Sequence, residues 1–340
     1  MTTDNSLSAS GTTEVVVTGA TGFIGRRLIH VLASARRSGV AVSRRDVLGV
    51  PAGWMHMERS RYVSGTLPFR PGCVIHLEAR HHVFHRTETE IAELERVNIG
   101  GTREMLERAG QLGCPAFIYF SSIKAVRPAG GLNTESAEGP GDSPYGRSKW
   151  AAEQLVRAWA RSQAGRSALI LRPAVVYGSG NQANLYAMLD AVARRRFPLV
   201  SGGNNVKSIV SLENVCQAVS HLLGRMTPGV QVFNLVDPAS YSVSEIAGMM
   251  ARSLGMPAPR ESIPLWAARL LALAGDGLAC VGMKRFPMNS PRLEGLIEPS
   301  HFSAESLIAT GFVPVNTTEE GIAHLAWWYR HHQSVPVVGG

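Results

Sequence analysis

Two spacings of apolar residues alternate along the chain. Compact apolar runs bounded by glycine or polar positions read as buried strands, and stretches with apolar residues three and four apart read as helices. Glu14–Thr18, Val40–Ser43, Cys73–Leu77, Ala116–Phe120, Ala168–Leu171 and Gln231–Val236 are the predicted strands. Helices are predicted from about Gly22 to Arg37, Glu88 to Leu112, Pro144 to Ser162 and Ser242 to Leu254. Strands that alternate with helices pair in parallel, with helices on both faces of the sheet. The expected class is therefore α/β with a doubly wound parallel sheet. After Tyr177 the pattern loosens at Gly178-Ser179-Gly180 and continues as short helices among Pro and Gly turns. This predicts a tail over 1–13, a first domain over 14–178 with returning segments near 206–236, a smaller C-terminal lobe over 179–330, and a tail over 331–340.

Composition narrows the class. The chain has 340 residues, 34 Lys+Arg against 26 Asp+Glu, and a net charge of +8 with histidine neutral. Hydrophobic residues make up 45%, enough for a large core, so disorder as the dominant state is excluded. Cys73, Cys114, Cys216 and Cys280 lie far apart with no CxxC pair. That excludes a disulfide scaffold, argues against a cysteine zinc site and fits a reducing compartment. Met1 to Thr13 is polar, with neither a basic n-region nor an apolar h-region, and reads as a frayed tail rather than a secretory signal. The longest apolar stretch, Leu265 to Val281, is interrupted by Arg269 and Asp276 and falls short of the ~20 residues of a membrane span. It reads as a buried or amphipathic helix pair, with a peripheral membrane contact as the alternative. Arginines concentrate at Arg36-Arg37, Arg44-Arg45 and Arg194-Arg195-Arg196 without interleaved aromatics. Such spots are solvated faces or meet a phosphate-bearing small molecule, and nucleic acid is not an expected partner.

The strongest local signal is Thr18-Gly19-Ala20-Thr21-Gly22-Phe23-Ile24-Gly25, which follows the first strand and opens the first helix. Gly19 suits the tight turn, Gly22 lets backbone approach a pyrophosphate, and Gly25 allows close helix–strand packing. Thr21, Phe23 and Ile24 carry the amides of that turn and of the helix N-terminus, which favour phosphate. The strand–turn–helix context makes this a dinucleotide fingerprint and the expected fold Rossmann-like. The second strand ends Ser43-Arg44-Arg45-Asp46. Arg44 and Arg45 lean the cofactor toward NADP(H); if they face solvent and Asp46 reaches the ribose, it is NAD.

Tyr145-Gly146-Arg147-Ser148-Lys149 places tyrosine and lysine at i and i+4, on one helix face. A phenol of pKa ~10 is a poor base at neutral pH, and a nearby ammonium favours the phenolate. The lysine can also hold the nicotinamide ribose. Ser121-Ser122 ends the preceding strand, where a hydroxyl can polarise a substrate carbonyl.

With these residues the chain resembles the extended short-chain dehydrogenase/reductase family, and within it the NAD-dependent epimerase/dehydratase group that acts on sugar nucleotides. The resemblance runs from Glu14 to about Trp328. It is carried further by Val74-Ile75-His76-Leu77 with Ala79, Val97-Asn98-Ile99-Gly100-Gly101-Thr102, Ile118 to Ile123, and Arg172-Pro173-Ala174-Val175-Val176-Tyr177-Gly178. It implies Tyr145 as general acid/base, Lys149 as its modulator and Ser122 on the reacting oxygen. Ser121 stays a candidate, because the chain continues Ile123-Lys124-Ala125-Val126-Arg127-Pro128 where many relatives reach Tyr-Gly. Cofactor contacts are implied for Leu77, Ala79, Asn98, Ser121, Tyr145, Lys149, Pro173 and Val175. Glu78 replaces a small residue and is either a plain loop acid or a group that crowds the cofactor.

For the substrate, the resemblance points to Ser122, His82, Asn184 and Lys207. Lys207 stands beside Ser208, where relatives carry an arginine for a diphosphate; a lysine supplies a point charge rather than a fork, and a surface lysine is the alternative. Asn184 is equally suited to capping a helix. His81, His82 and His85 invite a metal reading, but the chemistry needs none and no metal is expected. Trp327-Trp328-Tyr329 reads as a helix face packing on the sheet, with base stacking as the alternative. The implied reaction is C4 chemistry on a nucleotide-linked hexose, as a 4-epimerase or a 4-keto reductase. Dehydration is not expected, since Ile123-Lys124 stand where an acidic pair belongs. The alternatives are NADPH-dependent reduction of a non-sugar ketone and a non-catalytic dinucleotide-sensing module. The resemblance also implies a cytoplasmic enzyme without a membrane span, and a homodimer through the helices around Glu88–Leu112 and Pro144–Ser162.

Overall fold

In the computed structural model, which describes residues 12–45, 49–67, 69–81, 87–181, 184–280 and 289–332, the apolar runs become strands of one parallel sheet. In chain order come β1 (Thr12–Thr18), α1 (Phe23–Ser34), β2 (Gly39–Ser43), β3 (Trp54–Glu58), α2 (Arg59–Ser64), β4 (Arg70–His76), α3 (Glu88–Glu95), α4 (Gly101–Gln111), β5 (Ala116–Phe120), α5 (Pro144–Arg161) and β6 (Ser167–Pro173). A second unit opens with β7 (Val175–Tyr177), α6 (Asn184–Ala193), β8 (Leu199–Val200), β9 (Val206–Lys207) and β10 (Ile209–Ser211). The chain rejoins the first unit for α7 (Leu212–Leu223) and β11 (Gly229–Leu235). It then forms β12 (Tyr241–Ser242), α8 (Val243–Ser253), β13 (Ser262–Ile263), α9 (Leu265–Cys280) and α10 (Ser290–Ile297) in the second unit. α11 (Glu305–Ala309) belongs to the first unit and α12 (Thr318–His331) to the second.

The sheet order is β11-β6-β5-β4-β1-β2-β3, with every pairing parallel. Its inner strands are apolar without alternation because helices cover both faces. β6 is buried along its whole length. One layer of the core joins Val16, Val74, Phe117 and Ile170 of the strands to Met105 and Ala109 of α4 and Val156 and Trp159 of α5. Strand order reverses at β1, which pairs with β2 on one side and β4 on the other. At such a switch point a crevice opens at the carboxyl ends of the strands, the usual ligand position of an open α/β sheet.

The structure departs from the expectation in three places. β3 and α2 carry no clear period: Trp54-Met55-His56-Met57-Glu58 mixes polar and apolar residues because β3 is the sheet edge. The long helix expected over Glu88 to Leu112 is interrupted by a π turn at Arg96–Gly100. The apolar stretch from Leu265 forms one helix to Cys280 rather than a pair.

The second unit has its own core, in which Tyr177 and Leu189 pack with Ile246, Met250, Ile322 and Leu325. Buried Asp237 accepts hydrogen bonds from the Tyr177 hydroxyl (3.1 Å) and Thr318 Oγ1 (3.0 Å). Trp328 and Tyr329 meet Tyr186 of α6, Tyr329 shares a core with Tyr177 of β7 and Ile209 of β10, and exposed Trp327 stacks on His331. Among the described residues no helix is long and apolar enough to cross a membrane.

Candidate active site

The glycine turn is shaped by close backbone packing. Gly19 has φ +71°, and a Cβ there would lie 3.0 Å from the Glu78 amide nitrogen. A Cβ on Gly25 would lie 2.4 Å from the Gly19 carbonyl oxygen, so only glycine lets α1 start so close to β1. Gly22 caps α1 without a side-chain hydrogen bond, leaving the helix N-terminus to an anion. Thr21, Phe23 and Ile24 lie on this turn, and Arg26 braces it by donating to the Thr21 carbonyl at 2.8 Å. A cradle that a Cβ would fill, aimed by a helix N-terminus, fits a dinucleotide pyrophosphate.

At the end of β2 the Ser43 hydroxyl donates to the Arg45 carbonyl and meets His56 Nε2 at 3.1 Å, which shapes the turn presenting exposed Arg44 and Arg45. Glu93 on α3 is held below the usual carboxylate range, first by hydrogen bonds from Arg96 and then by the charges of Arg96, Arg80 and Arg44. Asp46 lies outside the described residues. Leu77 continues β4, its amide donating to the Thr18 carbonyl at 3.3 Å, and Ala79 follows in the same loop. Glu78 turns its carboxylate onto Arg59 at 2.8 Å, and Arg59 also holds Glu104 at 2.6 Å.

His76, at the end of β4, is fully buried with Nδ1 2.7 Å from Thr18 Oγ1. Its Nε2 has no partner among the described residues. Burial, with the charges of Lys149 and Arg59, pushes its pKa down to about 3. The folded value thus lies below the unfolded value of ~6.5. The resulting stability is complete above pH ~6.5 and is lost as pH falls toward 3, at about 1.4 kcal/mol per pH unit. Urea denaturation between pH 7 and 5 checks this: His76→Asn loses less stability per unit than the parent, and equal slopes would refute it.

Ser121 and Ser122 leave β5 on opposite sides, as successive strand residues do. Ser121 Oγ donates to Glu153 Oε1 at 2.5 Å. Glu153, fully buried on α5, is also gripped by Arg172 through Nε (3.0 Å) and Nη2 (2.8 Å). Arg172 in turn donates to the carbonyls of Glu135 and Ala137. Ser122 faces the other way: its hydroxyl accepts from the Lys124 amide at 3.2 Å and lies close enough to the Tyr145 phenol to lower its pKa.

Tyr145 lies in the first turn of α5, which Ser143 caps by accepting from the Gly146 amide at 3.0 Å with Pro144 at the first position. Burial pushes the phenol up to about 12, and the Ser122 hydroxyl pulls it down. Lys149, one turn on, is buried with Nζ 4.5 Å from the Tyr119 ring centroid. Burial brings its pKa down to about 7 against the charge of Glu153. The His81 ring centroid lies 5.5 Å from that of Tyr145. Asn98, in the π turn, donates to Ser148 Oγ at 2.9 Å and to the Arg80 carbonyl at 3.1 Å, and accepts from the Arg80 amide at 2.8 Å. It ties the β4 loop to the helix that carries Tyr145.

The structure thus gathers Gly19, Gly22, Gly25, Leu77, Ser122, Tyr145 and Lys149 at the carboxyl edge of the first unit, where β6 also ends at Pro173. Val175, Asn184 and Lys207 belong to the second unit. Asn184 opens α6 and is exposed; the Lys207 ammonium donates to the carbonyls of Gly295 (2.7 Å) and Glu298 at the end of α10. His82 and His85 lie outside the described residues, among which no His/Cys/Asp/Glu cluster could hold a metal ion. Glu153 and Arg172 are the functional neighbours that residue-by-residue reading passed over. The spacing of Glu153, four residues after Lys149 on one helix face, was the available signal.

Sequence comparison matches the NAD dependent epimerase/dehydratase family over residues 15–235. The chain is 31% identical over 273 residues to a UDP-glucose 4-epimerase of Vibrio cholerae, covering 75% of this chain and 80% of that one. It is 29% identical over 231 residues to an N-acetyl-alpha-D-glucosaminyl-diphospho-ditrans,octacis-undecaprenol 4-epimerase of Escherichia coli O157:H7, covering 66% and 69%. The fold matches MoeE5, solved in complex with UDP-glucose and NAD, with a TM-score of 0.73 at 24% identity over 94% of this chain and all of that one. The glycine cradle, the parallel sheet and these matches agree: the chain belongs to the NAD dependent epimerase/dehydratase family, and it is an enzyme of the extended short-chain dehydrogenase/reductase type.

Proposed function

We propose that the protein catalyses hydride transfer at C4 of a hexose carried on a diphosphate, as a nucleotide-sugar 4-epimerase. The observation that carries this reading is Tyr145 and the buried Lys149 one turn apart on α5, with Ser122 at the end of β5 beside the phenol. A nicotinamide bound at the glycine cradle would supply the hydride chemistry at C4. Tyr145 takes the proton from the C4 hydroxyl as it becomes a ketone and gives it back on reduction. Ser122 hydrogen-bonds the same oxygen and holds the phenol in reach. Lys149, with a pKa near neutrality, supplies positive charge when protonated and favours the phenolate. The glycine cradle and the N-terminus of α1 take the cofactor pyrophosphate, with Leu77, Ala79 and Pro173 as further contacts. The diphosphate-linked sugars named for the Vibrio and Escherichia relatives support the substrate class. A second reading, a 4-keto-sugar reductase using NADP(H), draws support from the exposed Arg44 and Arg45 after β2.

Mass spectrometry of nucleotide released from the purified protein, followed by cofactor titration of the emptied protein, tests both. Stoichiometric NAD and conversion of a UDP-hexose without net change in NADH support the epimerase. Empty protein that prefers NADPH supports the reductase. No affinity for either cofactor overturns both.

A further inference from the structure

Helix α9 is built inside out. Its fully buried residues are the small Ala268, Ala272 and Gly275; the first two pack with Val200 and Leu293, and half-buried Leu265 joins them at the start of the helix. Its outward face carries Trp266, Leu270, Leu271 and Leu273, which are 67%, 59%, 43% and 62% exposed. A helix at a water-facing surface places its large apolar residues inward, and here the order is reversed. Among the described residues none covers this stripe. The charges complete the pattern. Asp276, the acid of the helix, is turned inward and accepts from the amide (3.2 Å) and hydroxyl (2.5 Å) of Ser290. Arg269, its cation, is exposed at one edge of the stripe, about 40° around the helix from Leu273 at ~100° per residue. The chain as a whole carries +8.

We propose that α9 seats on an anionic phospholipid surface, with Trp266, Leu270, Leu271 and Leu273 entering the boundary between headgroups and acyl chains and Arg269 meeting lipid phosphate. Sixteen residues make a helix of about 24 Å, too short and too charged to span but suited to lying in the interface. Tryptophan prefers that layer, where its ring is buried and its N–H stays wet. At the edge of the apolar arc the Arg269 stem can run along the inserted leucines while its guanidinium reaches lipid phosphate. The inference stands apart from the C4 reading.

The test is flotation of the full-length protein with vesicles of phosphatidylethanolamine and phosphatidylglycerol, compared with phosphatidylcholine vesicles. The parent protein is expected to float with the anionic vesicles. Partitioning is expected to fall at least about tenfold in L270E/L273E, which removes two inserted leucines. It also falls on phosphatidylcholine, while the melting temperature of the variant stays at the parental value. Three results would overturn the proposal: no flotation of the parent, equal flotation of the variant, or a variant that melts lower, because its own chain then covers the face. A parental dimer that L270E/L273E converts to monomer would do the same, assigning the face to a second copy. Flotation reads no turnover, so either proposal can fail while the other survives.

Discussion

Tyr145→Phe is expected to lower turnover by roughly 10²–10⁴-fold while nucleotide binding is retained. The ring and its packing remain, including the neighbouring His81 ring at 5.5 Å, so the loss reports on the hydroxyl alone. Ser122→Ala sharpens the assignment. The Ser122 hydroxyl is what pulls the Tyr145 phenol down from its burial-raised value, so its removal raises the phenol further. Steps that need the phenolate then shift their optimum to higher pH. Turnover of a UDP-hexose, followed against pH for the parent and both variants, is the measurement. Full activity in Tyr145→Phe would remove the phenol from the chemistry, and with it the proposed mechanism.

The largest stability effect is expected at Glu153. Its carboxylate is fully buried and holds Arg172 bidentately, with Ser121 on the same oxygen as Arg172 Nε. Glu153→Gln keeps the shape but leaves the Arg172 guanidinium buried without its counter-charge, which costs about 3–5 kcal/mol. A double replacement, Glu153→Leu with Arg172→Met, removes both charges and is expected to recover much of that loss. The recovery stays incomplete because the carbonyls of Glu135 and Ala137 lose their donor. Urea denaturation of the three proteins checks this. A single variant as stable as the parent would show that water reaches the pair. Ser121 depends on the same carboxylate, so the variant also loosens the end of β5 that presents Ser122.

The parallel sheet was legible because fully buried strands are written as unbroken apolar runs. Ala116–Phe120 has the same bounds in sequence and structure. The edge strand Trp54–Glu58 was not legible, because an edge strand tolerates polar residues and loses the contrast that marks a run. The turn of Gly19 to Gly25 stood out because its glycines answer to contacts that a Cβ would violate. Which of Ser121 and Ser122 faces Tyr145 was not readable, since one residue of register reverses the direction of a side chain. Nor could the apolar stretch from Leu265 tell which face turns inward, because both faces of that helix are apolar and periodicity needs contrast.

The last strand of the sheet, β11, comes from beyond the point where the chain has left the first unit and returned. Until residue 235 exists, β6 has a neighbour on one side only, β5, and its other edge is a row of open amides and carbonyls. Such an edge is a template for strands of other chains. On the ribosome the nascent chain therefore carries an adhesive border from about residue 173 to residue 235, a stage at which chaperone binding has its greatest value. A fragment cut after Gly178 would keep that border permanently and is suited to self-association rather than to standing alone.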